Sequence, residues 1–175
     1  MIRFLCSKPF NLLANNLIWV ACVIGREEAF WIVAPLVLAY VLVLISSNTV
    51  RLEQILAPAL IGILIDSSLT LAGVFQFPNT TLFLPLWMIV LWISFSTSLT
   101  NSLHFLEKRN LTTSVVGCIA FPLNYLAGKE LGAVAFGHDY LLTAIGLCLL
   151  WAAFLPILFF STQFHLNKIR EFIKY

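Results

Sequence analysis

Ile55-Leu-Ala-Pro-Ala-Leu-Ile-Gly-Ile-Leu-Ile-Asp66-Ser-Ser-Leu-Thr-Leu-Ala-Gly73 is an apolar stretch interrupted by a single acid. A hydrocarbon core of about 30 Å asks for roughly 17 to 25 residues of helix, and this run is long enough to cross it. Asp66 is the one formally charged residue that falls at membrane depth. An ionised Asp at a helix centre costs about 2.5 to 3.5 kcal/mol on insertion scales, so an intramembrane acid is by default a functional-site hypothesis. Pro58, Gly62, Asp66, Thr70 and Gly73 recur at spacings that place them on one helix face. Small residues on that face admit a close neighbour, which turns Asp66 into a bundle and away from lipid.

Working outward, five more segments have spanning length, giving helices over about 10–25, 30–47, 54–73, 82–105, 112–128 and 139–163. The composition agrees: 61% of residues are hydrophobic and 10% charged, against roughly 45–50% and 25% in soluble domains, and the mean hydropathy is +0.97. The expected fold is an all-α integral membrane protein. It is a single domain over 1–175, a bundle of about six transmembrane helices joined by short loops that favour antiparallel neighbours. Arg3 and Lys8 precede an apolar run as in a signal peptide, but Asn15 and Asn16 interrupt that run and no small-x-small cleavage site follows, so it reads as the first retained span. In the tail, 164–175, Leu166, Ile169, Phe172 and Ile173 share a face ringed by Lys168, Arg170 and Lys174, the pattern of an amphipathic helix on the membrane surface.

Arg3, Lys8, Arg51, Lys108, Arg109, Lys168, Arg170 and Lys174 fall on one side of this map, and only Arg26 and Lys129 on the other. The positive-inside rule then puts both termini in the cytoplasm. Trp31 and Trp87 lie near the outer ends of their spans, where belt residues sit, while Trp19, Trp92 and Trp151 lie deeper and read as packing residues.

At the depth of Asp66, the fifth span presents Gly117, Phe121, Asn124 and Gly128, with Pro122 and Tyr125 beside them. Pro122 frees a carbonyl near Cys118 and makes a kink plausible. Asp66, Asn124 and the Tyr125 hydroxyl form the expected hydrogen-bonded cluster in the outer half. In the inner half, the fourth span carries Ser94, Ser96, Thr97, Ser98, Thr100, Asn101, Ser102 and His104 toward its cytoplasmic end, and Asn11, Asn15 and Asn16 of the first span sit at a similar depth. Two readings stay open for this set, an inward-facing polar vestibule or side chains that satisfy one another between helices. Asp66 is equally open: a carboxyl that is neutral in one state and charged in another suits proton coupling, whereas a permanently neutral one is polar glue. Gly62, Gly73, Gly117 and Gly128 are the expected helix-packing positions.

Several chemistries lack their motifs. Cys6, Cys22, Cys118 and Cys148 are far apart and read as small packing residues, not as a redox or metal set. His104, His138 and His165 are scattered near the interfaces, and no metallohydrolase or serine-hydrolase motif is present. The basic residues form no patch with interleaved aromatics, so nucleic-acid binding has no support. No metal or cofactor is implied, and an enzyme would have to work through Asp66 alone, so the reading leans away from one.

Three blocks carry a resemblance: Gly62-Ile-Leu-Ile-Asp66-Ser-Ser-Leu-Thr-Leu-Ala-Gly73, Leu84-Pro-Leu-Trp-Met-Ile-Val-Leu-Trp-Ile-Ser-Phe95, and Gly117-Cys-Ile-Ala-Phe-Pro-Leu-Asn-Tyr-Leu-Ala-Gly128 with Gly132-Ala133. With Asn11 and Trp19 they resemble a family of small bacterial inner-membrane proteins, a domain of unknown function, over almost the whole chain. Phe121 before Pro122 departs from the glycine usual in that family. The resemblance implies a multi-span bundle and, through an association with fatty-acyl modification, lipid biology, but no catalytic residue. Small six-span vitamin-binding transporter subunits are similar in size and span count only. The leading expectation is a protein that binds or moves a small amphipathic or lipid-like molecule. The alternative is a non-catalytic scaffold or accessory subunit that holds a membrane-associated, lipid-modifying enzyme through its small-residue faces and basic tail, with a membrane protein partner or a second copy as the expected company.

Overall fold

The computed structural model describes residues 1–78 and 84–163. The expected amphipathic tail over 164–175 lies outside the described residues, as does the start of the segment expected over 82–105. In order, the elements are a single turn α1 (Ile2–Leu5), α2 (Lys8–Ser46), α3 (Leu52–Leu71), β1 (Phe75–Gln76), α4 (Leu86–Thr100), a 3-10 turn (His104–Leu106), α5 (Asn110–Glu130), β2 (Ala135–Phe136) and α6 (Tyr140–Ser161). The architecture is all-α apart from the two short strands. Four helices, α2, α3, α5 and α6, are long and apolar enough to cross a membrane, and α4 is apolar but shorter.

α2 is a helical hairpin. Arg26 leaves the helical region, with φ 49° and ψ −130°, and the chain folds back there. In a straight helix Asn11 and Tyr40 would stand about 44 Å apart, yet Asn11 Nδ2 donates to the Tyr40 hydroxyl at 3.1 Å. The Phe10 and Tyr40 rings meet at 5.8 Å, and Cys6 Sγ lies 3.1 Å from Ser47 Oγ. The first arm (8–25) and second arm (27–46) therefore match the first two apolar segments read from sequence. Serine at 7 caps the hairpin by accepting the Phe10 N–H.

α4 is the central helix, packed against α2 and α3 and touching α6, and it buries residues on every side, from Trp87 and Met88 to Ser98 and Leu99. It is shorter than the expected 82–105. Pro85 stands at its N-cap, and at its other end Asn101 leaves the helix (φ −110°, ψ −89°) to donate to the Cys6 carbonyl at 3.2 Å. α5 continues as a helix through Pro122, which is buried.

α3 and α5 end alike. At each, a glycine with positive φ, Gly73 at 74° and Gly132 at 71°, sits one residue past the cap. The Val74 N–H reaches back to the Leu69 carbonyl at 2.9 Å and the Ala133 N–H to the Gly128 carbonyl at 2.8 Å. These are paired Schellman closures, in which a residue without Cβ adopts the left-handed conformation at no steric cost. They launch two strands that pair antiparallel, Phe75 with Phe136 and Gln76 with Ala135. Gly137 closes the ribbon, since a Cβ there would overlap the Gly73 carbonyl oxygen.

The exterior of the bundle is apolar: Leu17, Ile24, Trp31, Leu36, Leu64, Leu142 and Leu149 are all exposed. An exterior so rich in large apolar side chains suits lipid and not water. Trp31 is 78% exposed, whereas Trp87, expected with it as a belt residue, is buried and meets Phe77 edge-on at 6.0 Å.

Candidate functional site

The face of α3 that carries Pro58, Gly62 and Asp66 is buried. Gly62 is the seat for Trp92 of α4, for a Cβ at Gly62 would overlap the indole ring. With the ring so close, Trp92 Nε1 donates to Asp66 Oδ2 at 2.7 Å. From α5, the Tyr125 hydroxyl donates to Asp66 Oδ1 at 2.6 Å. Both distances are in the range of hydrogen bonds to an ionised acceptor. Asp66 itself has no exposed surface. An indole N–H can only donate, so Oδ2 accepts in either charge state.

Aromatic rings fix this cluster on the remaining sides. Trp92 stacks on Trp151 of α6 (5.5 Å, 24°), Trp151 stacks on Phe121 (4.0 Å, 16°), and Tyr125 lies beside Trp151 (6.2 Å). Phe75 of β1 stacks on Tyr125 at 4.8 Å and on Phe136 of β2 at 5.9 Å, so the ribbon roofs the Asp66–Tyr125 bond. Gly117 lets α5 lie against the backbone of α6 at Trp151.

Asn124 stands apart from the expected cluster. It is exposed, and its amide donates to the Ala120 carbonyl one turn back. Adjacent residues on a helix point about 100° apart, so Asn124 and Tyr125 cannot both face Asp66. Two of the four glycines expected to pack helices do so closely, Gly62 and Gly117. Gly73 instead ends α3, with nothing within 4 Å of a Cβ, and at Gly128 a Cβ would make ordinary contact with Val134 at 3.8 Å.

The inner-half polar residues form a clasp between the first arm of α2 and α4. Asn11, fully buried, donates to Thr97 Oγ1 at 2.9 Å and accepts from Ser102 Oγ at 2.7 Å. Asn15 accepts from Ser94 Oγ at 2.6 Å. These side chains satisfy one another between the helices. Asn11→Ala removes three side-chain bonds, to Tyr40, Thr97 and Ser102. At about 0.6 kcal/mol each in a membrane bundle, the expected loss is about 2 kcal/mol of unfolding free energy, measurable by denaturant titration in mixed micelles.

Between the first arm of α2, α4 and α5 lies a cavity of about 310 Å³. The first arm contributes Leu12, Asn15, Asn16, Trp19 and Val23; α4 contributes Trp87, Leu91, Trp92, Phe95 and Ser98; and α5 contributes Val116, Ala120, Phe121, Asn124 and Tyr125. Asp66 borders it at the back. The first arm and α5 are not a packed pair, and Leu12, Asn16 and Asn124, on opposite walls, are exposed, so the cavity opens sideways between them. Of the residues expected from sequence to bind a ligand, Asp66, Asn124, Tyr125, Asn15 and Ser98 border this one space, whereas Asn101 is engaged with Cys6. Among the described residues no His, Cys, Asp and Glu group could hold a metal ion.

The family model for a protein of unknown function, DUF2878, matches residues 8–157, and the chain belongs to that family. No curated protein and no solved structure matches it.

Proposed function

We propose that this DUF2878 protein crosses the bacterial inner membrane six times, with both termini cytoplasmic, and binds a small amphipathic, lipid-like molecule in the cavity between the first arm of α2, α4 and α5. The observation that carries the reading is the sideways opening of an apolar cavity that ends on a buried carboxylate. Ligand pockets combine such walls with a few fixed polar groups, and an opening on the flank of a bundle admits a molecule from the lipid phase.

The two ends of the bundle support the orientation. One end gathers Cys6, Ser47, Asn101, Glu107 and Gln163 through mutual hydrogen bonds, with Arg3, Lys8, Arg51, Lys108 and Arg109 nearby in sequence. The other gathers Arg26, which donates to the Leu131 carbonyl at 3.0 Å, the two-stranded ribbon and Lys129. The more basic end is cytoplasmic by the positive-inside rule. The hairpin supplies crossings one and two, and α4, sheltered at the centre, supplies the fourth despite its length.

Mass spectrometry of the protein extracted with its native lipids tests the reading, with Ala120→Trp run alongside. Ala120 borders the cavity without bonding Asp66 through its side chain, so tryptophan there fills the space and leaves the cluster in place. A small molecule bound to the wild type and lost in Ala120→Trp is the expected result. Retention of that molecule in the variant removes the cavity from consideration, and a stoichiometric protein partner with no small molecule favours the scaffold.

A further inference from the structure

Resting on that binding reading, we infer that the cavity selects an amphiphile whose polar end is a lone ammonium group and rejects anionic and phosphate-bearing ones. The charges on its walls decide this. Asp66 is the one charged residue among the described residues that line the cavity, and none of them is Lys, Arg or His. Tyr125 and Trp92 orient the carboxylate but are neutral donors, so its charge is not cancelled. Asp66 has no exposed surface, so its charge acts on the cavity through the Trp92 and Tyr125 side chains that cover it and not by direct contact, and in a low-dielectric wall such a field is weakly screened.

The rest of the wall is matched to the same sign. Trp19, Phe95 and Phe121 border the cavity, and aromatic rings attract cations through their quadrupoles, more strongly where water is excluded. Asn15, Asn124 and Ser98 add neutral polar atoms that serve either sign. A fatty acid would bring a second carboxylate to a site without a counter-ion, and a phospholipid headgroup would bring a phosphate with nothing basic to receive it. Taking an uncompensated like charge out of water is costly. An alkylammonium ion meets neither obstacle and supplies the missing positive charge.

Three probes with the same twelve-carbon chain separate the possibilities: dodecylamine, laurate and lauroyl-lysophosphatidylethanolamine. Each is titrated against the full chain in phosphatidylcholine nanodiscs by tryptophan fluorescence at about pH 8, where the amine is protonated and the carboxylate ionised. Dodecylammonium is expected to bind at least about tenfold more tightly than the other two, a difference of about 1.4 kcal/mol. Asp66→Asn is expected to bring the three within about threefold of one another. Asn124→Lys places a cation on the rim at a residue whose amide donates to the Ala120 carbonyl and not to Asp66, so the Asp66 cluster stays intact, and dodecylammonium is expected to weaken by about tenfold. Equal or tighter binding of laurate or the lysolipid, or a preference for the amine that survives in Asp66→Asn, overturns the ammonium assignment. If Ala120→Trp still abolishes that binding, the cavity reading stands without it. Failure of all three probes to bind in a way that Ala120→Trp blocks removes both.

Discussion

Gly117→Ala is expected to unfold about 6 to 12 °C below the wild type in thermal melts of detergent-solubilised protein. A Cβ at Gly117 would overlap the Trp151 carbonyl oxygen and lie 2.9 Å from the carbonyl carbon and 3.0 Å from Leu155 Cβ. The obstacle is helix backbone, which has no rotamer to escape into, so α5 and α6 must separate. Overpacking costs typically 1 to 3 kcal/mol, and the rigid neighbour puts this case near about 3; at 2 to 4 °C per kcal/mol for a chain of this size, the stated shift follows. The displacement also reaches the site. Phe121, one turn on from Gly117, stacks on Trp151 at 4.0 Å, and Tyr125, a further turn on, holds Asp66. Gly146→Ala, with nothing within 4 Å of the new Cβ, and Gly128→Ala, with Val134 at 3.8 Å, are the controls and should melt with the wild type. If Gly117→Ala melts with them, the close approach of α5 and α6 is not a source of stability.

The contrast among these glycines shows what could be read from sequence. Helical spacing alone identified the buried face of α3, because a lone charge in an apolar run has one tolerable direction and small residues at four-residue intervals mark it. Spacing cannot say whether a glycine is there for closeness or for backbone freedom. Gly62 and Gly117 serve the first purpose and Gly73 the second, and only the partner helix or the φ value distinguishes them. The same limit explains the cluster itself. Depth brought Asn124 and Tyr125 level with Asp66, but which of two adjacent residues faces inward depends on the rotation of α5, fixed by contacts with α6. Trp92 reads as packing because an indole buried for its ring and one buried for its N–H have the same periodicity. The ribbon of Phe75 and Phe136 was illegible for another reason: two-residue strands carry no period, and their pairing depends on two helix ends that meet only in space. The hairpin, by contrast, was legible as two spans, although its turn needs one non-glycine residue, Arg26, at positive φ.

Asp66→Leu separates structural from functional use of the acid, and its expected effect is a fall in melting temperature of about 4 to 12 °C. Leucine fills the space but leaves Trp92 Nε1 and the Tyr125 hydroxyl, in residues that are 3% and 8% exposed, without their acceptor. A neutral interhelical bond in a membrane is worth about 0.6 kcal/mol on average, and bonds to a charged group are roughly twice as strong. Two of them, with the cost of stranding buried donors added, give about 2 to 3 kcal/mol. Against this stands the insertion gain of about 2.5 to 3.5 kcal/mol when a charge is removed from mid-membrane. That gain cancels from the stability of the bundle, because α3 is inserted in both the assembled and the separated-helix states; it raises the amount of protein reaching the membrane instead. The loss should therefore appear in melting and not in yield. Tyr125→Phe in the Asp66→Leu background removes one stranded donor and should recover part of the fall, a non-additivity expected only if the two residues are coupled in the native bundle. Should Asp66→Leu melt at or above the wild type while dodecylammonium binding is lost, the carboxylate contributes nothing to the bundle that leucine does not, and its burial is retained for the ligand alone.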